Sequence, residues 1–498
     1  MKNLKKILSI LLCCVMVWAL AVPAFAQSES TKYPTVYVPG IASSHIYADL
    51  NDTSHYLDYP SSDVITDMVK NDILPALIVY AANGDIDRLG RVITNSLNTA
   101  FAEWFVNPDG SMPENSGVIN KYPTAIDENT RVVFSYDWRA DPFVLASQLN
   151  DYINYVIKTS GCEKVALSSH SLGAIVVLTY LTVYGNDKVY GWVMDSPAIE
   201  GVSYVADLLC GDMDITSDGV LTFLKGTLGE NEYEELIISS LDILEMAGVS
   251  DLVIDAFDDV VKKLSPVLFE ETLLPIFGHW PTIWAMVPEE RVDEAMKAVF
   301  EGDYAKDKDL SALKARIENY NDNIRSNRQE TLVDFDEGAR VAVISRYGHV
   351  CFPIAPSWAL EGDAVIETSS SSLGAVTAPL GDYFSDEYLA DKDMKYISPD
   401  KTIDASTCLF PEKTWFIKGV LHEETKYTQQ LISQLLFHEE EATCDNFPME
   451  RFTVFNDETE DFDTDETVPE KAEKLTPMQR LYNFLKALFK KLFELFAK

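Results

Sequence analysis

The chain has 498 residues, of which 47% are hydrophobic, and its formal net charge is −39. This length is enough for one large domain with insertions or for two domains, and the apolar content can fill a sizeable core. So strong an acidic excess repels nucleic acid and anionic bilayers, and we therefore expect no nucleic-acid partner.

The first 26 residues are typical of a secretory signal peptide. Residues 1–6 are basic, residues 7–21 are apolar, and residues 24–26 offer small side chains for cleavage. The apolar run is shorter than the roughly 20 residues of a membrane-spanning helix. We therefore expect a secreted or extracytoplasmic protein.

Cysteine usage gives no framework for covalent cross-links or metal binding. Export permits disulfides, but an odd number of cysteines at irregular spacing and without a CxxC pair predicts neither a fixed pairing nor a metal site. We expect no metal and no cofactor, and at most one bridge that the sequence does not assign. Beyond the signal segment the cysteines are Cys162, Cys210, Cys351, Cys408 and Cys444.

Six short apolar segments predict the strands of a mainly parallel sheet flanked by helices, which is an α/β fold. In chain order they are residues 35–40, 131–136, 165–167, 188–194, 339–345 and 414–417. Two connections are too long to be simple loops. The first, about 45–129, contains helical patterns in 63–79 and 86–105. The second, about 203–337, lies between the fourth and fifth strands and is a candidate helical lid.

The third strand breaks abruptly at Ser169-His-Ser-Leu-Gly173 and a helical pattern follows. A serine at the apex of a strand-to-helix turn is typical of the nucleophile elbow of α/β hydrolases, whose pattern is G-x-S-x-G. Here Ser169 replaces the first glycine. We therefore predict that Ser171 is a nucleophile and that the chain has an α/β-hydrolase fold.

Partners for Ser171 follow in the chain order acid, then histidine. Asp363 comes after the fifth strand and His422 after the sixth, both in predicted loops. His422 would act as general base and then as general acid, while Asp363 fixes the imidazole tautomer. Asp195, at the end of the fourth strand, is the alternative acid.

The remaining histidines are weaker candidates for the base. His170 cannot fold back onto the adjacent serine, and His349 precedes the acid; packing or surface roles are expected for them and for His45, His55 and His438.

The oxyanion of an acyl-transfer intermediate needs donors near the serine. The main-chain N–H groups of Leu172 and Ile41 are the candidates, since Leu172 follows the serine and Ile41 follows the Pro39-Gly40 end of the first strand.

Several of these motifs resemble the lecithin:cholesterol acyltransferase and lysosomal phospholipase A2 family. Ser135-Tyr-Asp-Trp-Arg139 is similar to that family's Tyr-Asp-Trp-Arg signature, and it is the most specific match. The other matching segments are Val38-Pro-Gly40, Ser169-His-Ser-Leu-Gly173, Glu361-Gly-Asp363-Ala-Val and Leu421-His422.

The resemblance implies acyl-ester chemistry on lipids, by hydrolysis or by transfer to an alcohol. It also implies that Trp280 and Trp284, in a segment similar to one of that family, line an acyl groove; ordinary lid core is the alternative. The chain departs from the family at Ser169 and lacks a recognisable short, cysteine-closed lid.

Beyond a catalytic domain of residues 27–455, the chain changes character twice. Residues 456–474 begin with an acidic run and predict a solvated linker. Residues 475–498 predict a helix with a leucine stripe and a basic polar face. Such a helix suits peripheral contact with a membrane or cell envelope, and docking on its own domain or self-association is the alternative. The sequence leaves the oligomeric state open.

Three functions therefore remain. The leading one is an exported serine-dependent lipid esterase or acyltransferase. A carboxylesterase for soluble esters would use the same triad, and a non-catalytic surface binding protein would keep only the fold.

Overall fold

In a computed structural model, the chain forms an α/β structure around one central sheet. The structure describes residues 33–467 apart from 55, 58–63, 65–67, 215, 217–218, 220–221, 224–259, 261 and 457–460. The expected signal peptide, the helix over 475–498, His55 and part of the lid lie outside these residues. No helix among those described is long and apolar enough to cross a membrane.

The central sheet has eight strands in the order β8-β7-β6-β5-β4-β3-β1-β2. Their bounds are β1 Thr35–Val38, β2 Arg131–Val133, β3 Val165–His170, β4 Val189–Asp195, β5 Arg340–Tyr347, β6 Thr414–Lys418, β7 Phe452–Asn456 and β8 Asp461–Thr464. Strands β1 to β7 pair in parallel, and only β8 runs antiparallel to its neighbour. The prediction of a mainly parallel sheet is confirmed.

Helices connect the strands and fill the insertions. The helices with both ends described are α1 Leu74–Asn83, α2 Ile86–Ala100, α3 Pro142–Ser160, α4 Gly173–Tyr184, α5 Ser203–Cys210, α6 Pro281–Ala285, α7 Val292–Phe300, α8 Ser311–Asn323, α9 Arg328–Gly338, α10 Thr368–Ser371, α11 Asp386–Leu389 and α12 Gln429–Phe437; residues 262–268 are helical as well. Two π-helical segments, Val69–Ile73 and Phe269–Gly278, lie in the long insertions. The first helical pattern, predicted over 63–79, lies partly outside the described residues; of those described, Val64 and Met68 are helical, and helical structure continues through α1.

Short elements complete the chain. Two-residue strands pair as Ile46–Tyr47 with Gly117–Val118, His349–Val350 with Glu361–Gly362, and Val376–Thr377 with Ile403–Asp404. Single 3₁₀ turns occur at Ala102–Trp104, Glu289–Arg291, Asp303–Ala305, Arg325–Asn327, Pro356–Ala359, Met394–Tyr396, Ala405–Thr407 and Pro411–Lys413.

Alternate residues of the central strands fill two cores, one on each face of the sheet. On β3, Val165 and Leu167 join the larger core with α3 and α4, whereas Ala166 joins the smaller one with α12. Successive side chains of a strand point to opposite faces, so a strand covered on both faces reads as a continuous apolar run. This explains why β3 has no polar alternation in the sequence.

The order of the strands places a crevice beside β1 and β3. After β1 the chain moves to β2 on one side, whereas after β3 it moves to β4 on the other. Ligand sites of open parallel sheets lie outside the carboxyl ends of the strands at such a reversal. The turn that carries Ser171 begins at this edge, directly after His170 at the end of β3.

The acidic run does not form the continuous solvated linker that we expected from residue 456 onward. Residues Asp461–Thr464 form the edge strand β8, which pairs with β7 from Thr453 to Asn456. Asp465 is buried and accepts a hydrogen bond from Tyr347 Oη at 2.6 Å. Strand pairing and this buried carboxylate tie the run to the sheet, so the domain extends beyond residue 455.

Candidate active site

Ser171 occupies the tight turn between β3 and α4. Its φ is 55°, a left-handed conformation that non-glycine residues seldom adopt. The main-chain N–H of Ser171 donates to the carbonyl oxygen of Asp195 at 3.1 Å, which ties the turn to the end of β4. The side chain is 6% exposed, and its Oγ forms no hydrogen bond with any described residue. The turn therefore holds a hydroxyl that bonds to none of the residues the structure describes.

Two glycines let the end of β1 approach this turn. A Cβ on Gly40 would lie 2.9 Å from Ser171 Cβ, and a Cβ on Gly173 would lie 2.1 Å from the carbonyl oxygen of Val38. Real Cβ atoms do not come so close to backbone atoms. Position 173 therefore has no room for a side chain because of the Val38 backbone, and a side chain at position 40 would collide with the Cβ of Ser171.

Ser169, which replaces the first glycine of the elbow pattern, faces the interior. It is fully buried, and its Oγ accepts a hydrogen bond from Trp192 Nε1 at 2.8 Å. The hydroxyl satisfies a buried indole that a glycine would leave without this partner. The departure from the pattern is accommodated by Trp192.

His422 and Asp363 meet in two places. Asp363 Oδ2 lies 2.6 Å from His422 Nδ1, and the main-chain N–H of His422 donates to the carbonyl oxygen of Asp363 at 2.9 Å. Both side chains are fully buried. With Nδ1 engaged by the carboxylate, Nε2 is the ring nitrogen that would exchange a proton with a substrate or nucleophile.

The carboxyl of Asp363 is held in its ionised form. Burial raises its pKa, but the imidazole of His422 and the hydrogen bond from the Ile366 N–H outweigh burial, and the pKa ends below its ordinary value. Its other oxygen, Oδ1, accepts from the main-chain N–H groups of Ile366 at 2.7 Å and Val365 at 3.1 Å. A carboxylate fixed in this way can orient an imidazole and stabilise its cation.

Asp195, the alternative acid, binds Arg346 instead of the His422 imidazole. Its carboxylate receives Arg346 Nη2 at 2.7 Å and Nε at 3.2 Å, and Thr428 Oγ1 at 2.6 Å. The structure thus separates the two acids: Asp363 contacts the histidine, and Asp195 forms a buried ion pair.

His170 lies between the turn and His422. Its ring centroid is 4.5 Å from that of His422, and its Nδ1 lies 3.1 Å from the carbonyl oxygen of Asp195. Burial lowers the pKa of His170 well below its ordinary value, and the charges of His422 and Arg346 act in the same direction. His170 is therefore held neutral, and its ring packs against that of His422.

The two expected oxyanion donors lie on either side of the crowded contact. Leu172 directly precedes α4, and Ile41 directly follows Gly40. Across the described ranges, neither main-chain N–H donates to a protein acceptor. Tyr136 Oη donates to the carbonyl oxygen of Pro39, which anchors the chain just before Ile41.

Trp280 and Trp284 do not line an accessible groove. Each is 1% exposed. Trp280 packs against Trp104 and Trp138, and its Nε1 donates to the carbonyl oxygen of Trp104; Trp284 Nε1 donates to the carbonyl oxygen of Gly278. The expectation of substrate contact is therefore not met in this conformation. Their indole hydrogen bonds and aromatic neighbours make them core residues.

An apolar cluster lies beside the dyad and was not predicted from the sequence. Its core members Val350 and Ala364 pack with Phe223 of the lid, and the partly buried members are Phe352, Trp358 and Leu421. Ala364 and Leu421 are chain neighbours of Asp363 and His422. Their position next to the dyad in the chain could have indicated the cluster. The hairpin that brings Trp358 to the cluster was not recognisable from the sequence.

The Tyr-Asp-Trp-Arg segment fastens β2 to the first insertion. Arg139 is fully buried, and its Nε and Nη2 donate to the two carboxylate oxygens of Asp137 at 3.0 and 2.8 Å. Nη1 donates to the carbonyl oxygen of Glu103 and Nη2 to Ser116 Oγ. The Asp137–Arg139 pair therefore has a structural role, because it links the end of β2 to residues of the first insertion.

The five cysteines beyond the signal segment are all free thiols in this structure. Among the described residues, one set of side chains has the spacing of a metal site, namely Cys210, Asp212 and Glu294. Arg291 already forms ion pairs with Asp212 and Glu294 there. Its guanidinium occupies the position in which a cation would sit.

Comparisons with known proteins assign the chain to no family. No protein-family model and no curated protein matches the chain. A chain of the solved structure titled "The crystal structure of Tle4-Tli4 complex" matches 36% of this chain at 14% identity, with a TM-score of 0.20. The match spans 48% of that chain, about half its length.

The close approach of β1 to the serine turn leads to a prediction about stability. Gly173→Ala should destabilise the fold by about 3 kcal/mol. The new methyl group would collide with the carbonyl oxygen of Val38, which is a backbone atom and cannot move aside as a flexible side chain could. Gly161→Ala is the matched control: its φ is +73° but no atom lies within 4 Å of the added Cβ, so it should cost only about 1 kcal/mol. Urea unfolding measures both. Equal losses would mean that the contact at Gly173 does not constrain the turn.

Proposed function

We propose that this chain is a serine hydrolase of the α/β-hydrolase fold, exported from the cell, that forms an acyl-enzyme on Ser171. The observation that carries the proposal is the buried contact of 2.6 Å between Asp363 and His422 at the edge of the sheet where Ser171 sits in a left-handed turn. A parallel sheet with the order serine, acid, histidine supports the same fold.

The chemistry follows the roles of these groups. His422 Nε2 takes the proton of Ser171 Oγ while the oxygen attacks the ester carbonyl, and the N–H groups of Leu172 and Ile41 receive the developing negative charge. As the tetrahedral intermediate collapses, the ester bond breaks and His422 returns the proton to the departing alcohol. Water or a second alcohol then repeats the sequence and releases the acyl group.

We infer that the substrates are lipid esters. The apolar cluster around Trp358 includes the chain neighbours of both members of the dyad, and it offers an apolar surface for an acyl chain beside them. Ser171 is 6% exposed, so little of this residue meets solvent in this conformation. Membership of the lecithin:cholesterol acyltransferase and lysosomal phospholipase A2 family, and membrane contact through residues 475–498, belong to the same proposal.

Labelling with a fluorophosphonate tests the nucleophile and its acid. The wild type should be labelled at Ser171, and Ser171→Ala should not be labelled. Asp363→Asn should slow labelling by about 10³- to 10⁴-fold, because the imidazole loses the group that fixes its tautomer.

Glu367→Gln is the control for that substitution. Glu367 is a buried carboxyl on the same loop, but it binds Ser203 Oγ at 2.6 Å and does not contact His422. It should leave the labelling rate close to that of the wild type. A folded wild type that stays unlabelled at Ser171 would refute the proposed function, and an unaffected Asp363→Asn would refute the role of the acid.

Acyl-chain preference tests the lipid substrate class. Trp358→Ala should lower kcat/KM for a long-chain p-nitrophenyl ester about tenfold more than for the acetate, because about 1.4 kcal/mol of apolar contact is lost. Trp280→Phe, within the buried aromatic core, should affect both esters equally. If Trp358→Ala also affected both equally, the alternative of a carboxylesterase for soluble esters would be favoured.

A further inference from the structure

Arg346 is a fully buried cation at the catalytic edge that the chemistry above does not use. It is the last residue but one of β5, and its exposed fraction is 0%. A buried guanidinium is costly unless it is paired and its donors are satisfied. The partners of Arg346 therefore indicate its role.

One side of the guanidinium is neutralised by Asp195. Nη2 and Nε donate to the two carboxylate oxygens at 2.7 and 3.2 Å, and Thr428 Oγ1 donates to the same carboxylate at 2.6 Å. Asp195 is itself 1% exposed, at the end of β4. A bidentate contact of this kind fixes the plane of the guanidinium as well as its charge.

The other side of the guanidinium faces the loop that carries His422. Nη1 donates to the main-chain carbonyl oxygens of Leu421 at 2.6 Å and of His422 at 2.8 Å. The main-chain N–H of His422 is meanwhile held by the carbonyl oxygen of Asp363 at 2.9 Å. The peptide group before the His422 Cα is therefore held by both Asp363 and Arg346, and the peptide group after it is held by Arg346.

We propose that Arg346, locked by Asp195, is a positioning residue that sets the direction of the His422 imidazole toward Ser171. It touches no substrate and acts only through the two carbonyl groups. This inference rests on the proposed function, because it assigns Arg346 a part in the same proton transfer. Asp195 thus acts on His422 indirectly, by fixing Arg346, and it does not contact the His422 ring nitrogens.

Lysine at this position separates alignment from charge. Arg346→Lys keeps the cation opposite Asp195, but an ammonium cannot reproduce the planar fork that reaches both the carboxylate and the two carbonyls. We expect kcat and the rate of fluorophosphonate labelling to fall about 10²-fold, the size of effect that a small misplacement of a catalytic group produces, with KM nearly unchanged.

Arg451→Lys is the matched control. Arg451 is also buried and donates to main-chain carbonyls, those of Pro411 and Thr414, and to Glu412. It lies at the amino ends of β6 and β7, at the edge of the sheet opposite to Ser171. Arg451→Lys should lower the melting temperature without changing kcat or the labelling rate of the folded protein.

Two further measurements keep the test decisive if Arg346→Lys folds poorly. Thr428→Val keeps Arg346 but removes one donor to Asp195 and one acceptor of Arg346 Nη2, and it should lower kcat several-fold. The low-field proton resonance of the bond between His422 Nδ1 and Asp363 should shift in Thr428→Val and in Arg346→Lys but not in Arg451→Lys.

The outcomes distinguish this inference from the proposed function. If the wild type is labelled at Ser171 and Arg346→Lys is labelled just as fast, the positioning role is refuted while the proposed function stands. If Arg346→Lys and Arg451→Lys lower kcat equally, Arg346 is only structural. A wild type without labelling at Ser171 would refute both.

Discussion

The close contact between the end of β1 and the turn at Ser171 is the constraint on which the rest of the site depends. Because β1 and β3 are neighbours, the carbonyl oxygen of Val38 comes so near to the start of α4 that position 173 has no room for a side chain. The same crowding brings Gly40 against the Cβ of Ser171. It places the serine hydroxyl, the start of α4 and the chain after Gly40 within one small volume.

Beside this contact, the proposed base His422 is held through its backbone as well as through its ring. Asp363 holds both the N–H and the ring of His422, while Arg346 holds its carbonyl oxygen. Asp195 neutralises Arg346, and the ring of His170 packs against that of His422. Two acids at two strand ends thus have different tasks, because one faces an imidazole and the other a guanidinium.

Much of this arrangement could be predicted from the sequence, because its signals are local. Apolar runs that end in Pro-Gly or in Ser-Leu-Gly mark strand ends at the catalytic edge, and chain order favours Asp363 over Asp195 as the partner of His422. What could not be predicted depends on distant contacts. Trp280 is a core residue because the first insertion supplies Trp104 to pack against it.

The acidic run shows the same limit. Its composition favours a solvated linker, yet residues Asp461–Thr464 pair with β7 and Asp465 is buried against Tyr347. Composition reports the average environment of a segment, whereas an edge strand needs only a neighbour with unpaired backbone groups. The lid poses a similar difficulty, because its contact with Trp358 joins residues far apart in the chain.

The covalent intermediate is the most direct test of the central claim. An ester substrate should be mixed with the protein, quenched with acid at early times, and the peptide that contains Ser171 analysed by mass spectrometry. The account predicts an acyl group on Ser171 that forms before steady-state turnover and disappears when substrate is exhausted. Ester turnover without any acyl group on Ser171 would contradict it.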